Sequence, residues 1–218
     1  IRPSSTGSAT RNGVVVADVS RLDHIASSGG TARVGAGTKL IDVYSALWHV
    51  GRTIPGGSCP SVGVAGLALG GGIGYSSRLL GTTADALRRV QIATADGRLL
   101  TCDASHNTDL FWACRGGGGG NFGIATELTF ATHPVTTVSR YEIEWPWAQA
   151  EQAVAAWQMF APHAPDALFS VLDLIATNAS ALNHQTKDLL ATIAMPLAVA
   201  AVSQATGVPQ TQLTTLVS

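Results

Sequence analysis

The sequence predicts an α+β fold on three observations: short β-branched runs bounded by turn residues, an Asp96-Gly97 pair between two such runs, and an apolar helical stripe between Leu40 and Trp48. Residues 14–19, Val-Val-Val-Ala-Asp-Val, stand between Asn12-Gly13 and Ser20-Arg21 and predict a buried strand. Residues 32–37, Ala-Arg-Val-Gly-Ala-Gly, predict a second. From Thr38 the period changes. Leu40, Val43, Tyr44, Leu47 and Trp48 fall at i, i+3, i+4, i+7 and i+8, the stripe of a helix that ends before Gly51.

Residues 55–81 fit neither period, because glycines interrupt every candidate element, and loops with short turns are expected there. Val90-Gln91-Ile92-Ala93-Thr94 and Arg98-Leu99-Leu100-Thr101-Cys102 flank Ala95-Asp96-Gly97, which predicts a two-stranded ribbon. Asn107 or Thr108 can cap a short helix over 109–114, and five consecutive glycines, Gly116 to Gly120, must end it. Residues 122–130 then read as a strand. Past Thr132-His133-Pro134, residues 141–145 alternate like an exposed-face strand. Residues 147–160 are Ala-rich, with apolar positions at Ala150, Val154, Trp157 and Phe160. The change of character sets a domain boundary near Val135, dividing the chain into 1–135 and 136–218. The tail from Thr177 carries no chemical motif; helices are expected at 187–193 and 197–204.

Thirteen Lys and Arg against 14 Asp and Glu leave no charge excess to recruit nucleic acid or an anionic membrane. The longest apolar stretch, 189–202, contains Thr192 and Pro196 and falls short of the roughly 18 to 20 residues of a spanning helix, so a soluble protein is expected. Three cysteines in a chain of 218 residues do not make a disulfide framework. Cys102 at a strand end and Cys114 at a helix end read as packing residues, which leaves Cys59 to be explained.

Glycine lets backbone N–H groups approach a phosphate or a flat ring with no Cβ in the way. Two clusters suggest an extended ligand: Gly63-Val64-Ala65-Gly66 with Gly70-Gly71-Gly72-Ile73-Gly74, and Gly116 to Gly120 with Asn121-Phe122-Gly123. Familiar nucleotide loops do not account for them. No G-x-x-x-x-G-K-[ST] occurs, Gly35-Ala36-Gly37-Thr38-Lys39-Leu40 lacks the third Gly of a dinucleotide fingerprint, and no G-x-S-x-G elbow is present.

The run Gly57-Ser58-Cys59-Pro60-Ser61-Val62-Gly63-Val64-Ala65-Gly66-Leu67-Ala68-Leu69-Gly70-Gly71-Gly72-Ile73-Gly74-Tyr75-Ser76-Ser77-Arg78, followed by Gly81-Thr82-Thr83-Ala84-Asp85, resembles the flavin-binding segment of berberine bridge enzyme-like oxidases of the vanillyl-alcohol oxidase superfamily. The resemblance continues through Thr94-Ala95-Asp96-Gly97, the run from Asp109 to Ile124, Thr132-His133-Pro134 and Trp145-Pro146-Trp147, and so spans roughly 14–172. It implies a PCMH-type, two-subdomain FAD-binding fold without a Rossmann core, followed by part of an α+β substrate domain.

By that resemblance Cys59 bonds covalently to C6 of the flavin ring. Ser61, Val62, Gly63, Gly70, Gly71, Gly72, Ile73, Gly74 and Ser76 line the pyrophosphate and ribityl region, and Gly123 and Ile124 lie beside the adenosine half. The implied activity is that of an FAD-dependent oxidase. It takes a hydride from an alcohol, a sugar or a natural-product C–H or C–N centre, with dioxygen as acceptor.

The resemblance has gaps. Members with a doubly attached flavin carry a His in an R-S-G-G-H-S loop. Here Ile1-Arg2-Pro3-Ser4 is followed by Ser5-Thr6-Gly7-Ser8-Ala9-Thr10, with no His. His24, His49, His106, His133, His163 and His184 all lie in other contexts and read as surface or packing residues. The N-terminal part of the FAD domain and the Tyr-rich strand that supplies the family's catalytic base have no counterpart, so the expectation is a fragment, or ordered pieces of a longer polypeptide. The alternative is a non-catalytic binding or surface protein that keeps the fold.

Overall fold

The computed structural model describes residues 12–13, 16–135 and 137–175, and the backbone of 191–193. The chain divides into two units, Ile1–Thr136 and Thr137–Ser218.

The first unit is built on a five-stranded, fully antiparallel sheet. In chain order its elements are β1 (Ile25–Ser28), β2 (Thr31–Gly35), α1 (Leu40–Trp48), β3 (Arg52–Thr53), α2 (Val64–Leu69), α3 (Ser77–Leu80), α4 (Thr83–Ala86), β4 (Leu87–Ala93), β5 (Leu99–Asp103), α5 (Thr108–Ala113), β6 (Ile124–Ala131) and β7 (His133–Pro134). The sheet order is β1-β2-β6-β4-β5, and β3 pairs separately with β7. In the middle strand, β6, Ala125, Leu128 and Phe130 are buried, and they meet Val34 of β2 and Val90 and Ile92 of β4 in one core. α1 closes the core with Leu40, Val43 and Leu47, all fully buried. Trp48, counted in the stripe, is instead 66% exposed at the helix end.

Several expectations are corrected. Residues 16–19 form no strand: Val16 is 63% exposed, Asp18 accepts the Ser20 N–H at 2.8 Å, and the Leu22 N–H bonds the Val19 carbonyl at 2.9 Å. Such local bonding competes with a ladder. Val14 and Val15 lie outside the described residues. The first strand is β1, whose polar Ser27-Ser28 hid it. It turns into β2 through Gly29-Gly30, both at positive φ, the pairing a tight hairpin asks for. Within 55–81, expected to be loops, α2 forms because Val64, Ala65, Ala68 and Leu69 bury one face while Gly66 stays on the other.

The Asp96-Gly97 hairpin is present, with Gly97 at φ +82° and β4 and β5 paired in register from Ala93↔Leu99 to Arg89↔Asp103. α5 is also present, but the Asn107 side chain does not cap it. Asn107 sits at φ +47° and sends its amide to the Thr101 carbonyl at 2.8 Å, tying the helix start to β5. The strand expected from Phe122 begins at Ile124.

The second unit contains β8 (Tyr141–Ile143), a 3-10 turn (Trp147–Gln149), α6 (Ala150–Phe160) and β9 (Ala191–Ile193), with β8 and β9 antiparallel. β8 stops short of Trp145-Pro146, where proline cannot supply a ladder donor. Ala153 and Ala156 make the buried face of α6, with Val154 and Trp157 half-buried beside them. The helix expected over 187–193 is overturned at 191–193, where the backbone pairs with β8; 187–190 and 197–204 lie outside the described residues.

Candidate functional site

The loop bearing Cys59 is held from behind by α1. The Leu40 and Ile41 N–H groups, free at a helix start, donate to the Val62 and Pro60 carbonyls at 2.9 and 3.1 Å. The Val62 N–H closes a turn onto the Cys59 carbonyl at 3.3 Å. One turn further along α1, the Tyr44 hydroxyl donates to the Gly57 carbonyl at 2.8 Å. Burial pushes the Tyr44 phenol up to about 12, so it stays a neutral donor. Held this way, Cys59 and Ser61 are exposed while Val62 packs on the core and Gly63 opens α2. Of the three thiols only that of Cys59 reaches solvent. Cys102 and Cys114 are fully buried, and burial pushes Cys114 up to about 11.

The segment 70–76 leaves the other end of α2. Gly74 is buried directly on the backbone of Gly56 and Gly57, so this segment and the Cys59 loop run in contact. Gly71 and Gly72 are at φ +104° and +78°. Their carbonyls are both taken by the start of α4: the Ala84 N–H donates to Gly71 at 2.8 Å and the Thr83 N–H to Gly72 at 3.0 Å. In a trans peptide the C=O and the following N–H point in opposite directions. The N–H groups of Gly72 and Ile73 are therefore turned away from α4, and among the described residues neither donates to a protein acceptor. Two successive N–H groups turned away from α4 beside Gly71, with open space where its Cβ would be, form a donor pair suited to an anionic oxygen. Ile73 is 73% exposed, Gly70 exposed, and Ser76 half-buried just before α3.

The second glycine cluster reaches the same place. The Gly118 N–H donates to the Leu69 carbonyl at the end of α2, at 2.8 Å. Gly123 and Ile124 stand apart: Gly123, at φ +145°, packs on the Ala93 backbone, and Ile124 pairs with Ala93 at the start of β6, with no hydrogen bond tying either to residues 59–76.

The sequence reading missed three groups that shape this region. Tyr44 was counted only as apolar stripe. Thr82-Thr83-Ala84-Asp85 is a capping box, with the Thr82 hydroxyl accepting the Asp85 N–H at 3.3 Å and Asp85 accepting the Thr82 N–H at 2.8 Å; its Thr-x-x-Asp spacing was readable as a helix start. Arg115 joins the end of α5 to α4. Three of the histidines have partners of their own: His24 pairs with Glu127, His106 with Asp103, and His49 with the Ser45 carbonyl, and no metal-ligand cluster occurs among the described residues.

The donor set fits FAD: outward N–H groups for its two phosphates, side-chain-free backbone for a flat ring, and one accessible thiol alongside. Known proteins agree. A family model described as an FAD binding domain matches residues 3–103. An uncharacterised FAD-linked oxidoreductase of Bacillus subtilis, YgaK, is 41% identical over 172 residues, 76% of this chain and 38% of the relative. Among solved structures, a chitooligosaccharide oxidase superposes with a TM-score of 0.72 at 26% identity, covering 86% of this chain and 40% of that one. Physcomitrella patens BBE-like 1 gives 0.71 at 30% identity, covering 85% and 40%. The chain thus spans about two fifths of the length of these relatives. With its PCMH-type FAD-binding fold, the chain resembles the berberine bridge enzyme-like FAD-linked oxidoreductases of the vanillyl-alcohol oxidase superfamily.

Proposed function

We propose that residues 1–135 hold FAD covalently through Cys59, that 136–218 contribute to a substrate domain, and that the protein they serve is an oxidase. The observation that carries this is the exposure of the Cys59 thiol on a loop pinned by Leu40, Ile41 and Tyr44, beside the outward N–H groups of Gly72 and Ile73. Ser61, Val62, Gly63 and 70–76 border the diphosphate and ribityl chain in this reading, and Gly123 and Ile124 the adenosine. Cys59 is the residue that would hold the flavin, through a bond from its sulfur to ring carbon C6. Once bound, FAD supplies the two-electron acceptor for a hydride from an alcohol, sugar or natural-product carbon, with dioxygen reduced to hydrogen peroxide. The chitooligosaccharide oxidase among the structural neighbours favours a sugar hydroxyl as the substrate.

The test is retention of flavin through denaturation. Acid-precipitated protein should stay yellow and exceed its sequence mass by one FAD, and Cys59→Ala should release the flavin to the supernatant. Covalent flavin in Cys59→Ala overturns the link through sulfur. A purified protein with no affinity for FAD overturns the oxidase in favour of a binding protein that keeps the fold.

A further inference from the structure

The FAD reading leaves unexplained what keeps the Gly72 and Ile73 N–H groups facing outward. We infer that Arg115 is a positioning residue for the diphosphate of FAD, acting through α4 and never touching the cofactor.

The connection is continuous. Arg115 follows α5 and directly precedes the glycines of the second cluster. Its Nε donates to the Ala84 carbonyl at 3.0 Å, its Nη2 reaches Asp85 Oδ1 at 3.4 Å, and its guanidinium lies over the Phe111 ring, 5.8 Å from the centroid. Asp85 has its other oxygen, Oδ2, committed to the Thr82 N–H and hydroxyl at 2.8 and 2.7 Å, which leaves Oδ1 facing Arg115. One side chain thus grips both the backbone and the capping carboxylate of α4. The same short helix grips the Gly71 and Gly72 carbonyls through its Ala84 and Thr83 N–H groups. A helix of four residues cannot hold its own orientation, since one turn of hydrogen bonds does not repay the entropy of fixing it. Its placement must come from tertiary contacts, and Arg115 supplies the charged one. The planar, forked guanidinium suits the task, serving a carbonyl and a carboxylate together while stacking on an aromatic face. If α4 turns, the peptide planes at Gly71–Gly72 and Gly72–Ile73 turn with it, and the donor pair is lost although no ligand contact has been removed.

This inference rests on the FAD reading, and the experiment separates the two. In a Cys59→Ala background, where flavin binding is reversible, affinities for FAD and for riboflavin, which lacks the diphosphate, are measured by quenching of flavin fluorescence. Arg115→Met should weaken FAD binding about tenfold, the equivalent of one lost hydrogen bond, while riboflavin affinity stays within about twofold of the parent. Arg115→Lys, which keeps the charge and one donor, should fall between, and it carries the same comparison if the Met variant does not fold. Equal losses for FAD and riboflavin would show general damage and overturn the role, as would unchanged FAD affinity. A Cys59→Ala parent that binds no FAD sinks the cofactor reading itself.

Discussion

Replacing Gly74 by Ala tests how the two halves of the site are held together. Gly74 is buried and its φ is not in the left-handed region, so the penalty is steric alone. A Cβ there would overlap the Gly56 carbonyl oxygen and would lie 2.7 Å from the Gly56 carbonyl carbon and 3.2 Å from Gly57 Cα. All three are backbone atoms, so no side-chain rotamer can yield. Relief requires the Cys59 loop and the 70–76 segment to part by roughly 1.5 Å, since contacts are comfortable only near 3.5–4.0 Å. Overpacking costs ~1–3 kcal/mol, and a backbone-to-backbone clash belongs at the upper end, about 3 kcal/mol. At roughly 2–4 °C per kcal/mol for a chain of this size, the melting midpoint should fall by about 6–12 °C. The parted segments should also lower the acid-stable flavin content. Gly66→Ala is the control: Gly66 is exposed on α2, with no atom within 4 Å of its would-be Cβ, and alanine should raise the midpoint slightly through helix propensity. Circular dichroism melts and flavin absorbance after precipitation read both effects. A Gly74→Ala protein with the parent's midpoint and the parent's flavin would refute the packing argument.

Tyr44→Phe leaves the Gly57 carbonyl without its donor and should cost about 1 kcal/mol, measured by urea unfolding at neutral pH. Because the folded phenol is raised to about 12, its contribution is complete below the ordinary tyrosine value near 10 and is lost as pH rises from there; the parent should weaken above pH 10 more than the Phe variant. Asp103 has the opposite sign. The Ser105 N–H, the His106 ring and the His106 N–H hold its carboxylate down to about 2, so its stabilisation is present above the ordinary carboxylate value and fades as pH falls towards 2. Asp103→Asn should therefore flatten the pH dependence of the urea midpoint between about pH 4 and 2, and an unchanged slope would remove Asp103 from the account of acid sensitivity. In flavin-free protein, iodoacetamide should label one of the three thiols before denaturation and all three after it, since Cys102 and Cys114 are fully buried; two native labels would contradict that packing.

The elements legible in the sequence are those whose signal is local. Asp96-Gly97 fixes its own hairpin through positive φ at Gly97 and the Thr94 and Arg98 bonds around it, and the Leu40, Val43 and Leu47 spacing suffices for α1. What failed was what depends on partners. The β-branched run at 16–19 finds no ladder, whereas the nondescript Ile25-Ala26-Ser27-Ser28 becomes a strand because β2 lies beside it across the Gly29-Gly30 turn. α2 was hidden by its own glycine. The link between the two glycine clusters, Gly118 to Leu69, is a contact between residues far apart in the chain, and no periodicity could announce it.

The glycines divide by what stands where their side chains would be, and that division says how the site works. At Gly56, Gly72, Gly74, Gly117 and Gly123 a Cβ would strike neighbouring atoms at once, so these glycines exist to let one piece of chain lie on another. At Gly71, Gly116, Gly119 and Gly120 nothing lies within 4 Å, and at Gly70 only ordinary contacts do, so these leave backbone bare towards the outside. A run of identical residues thus does two jobs: the crowded set fixes the loops, and the open set leaves the backbone surface clear of side chains. Rigid placement matters because a donor pair that must reorganise to meet a phosphate loses part of its interaction to ordering, whereas one already oriented by the Ala84 and Thr83 bonds does not. Alanine at Gly119, which is open and not at positive φ, should therefore spare the fold and act only on what binds there, while alanine at a crowded position should act on both.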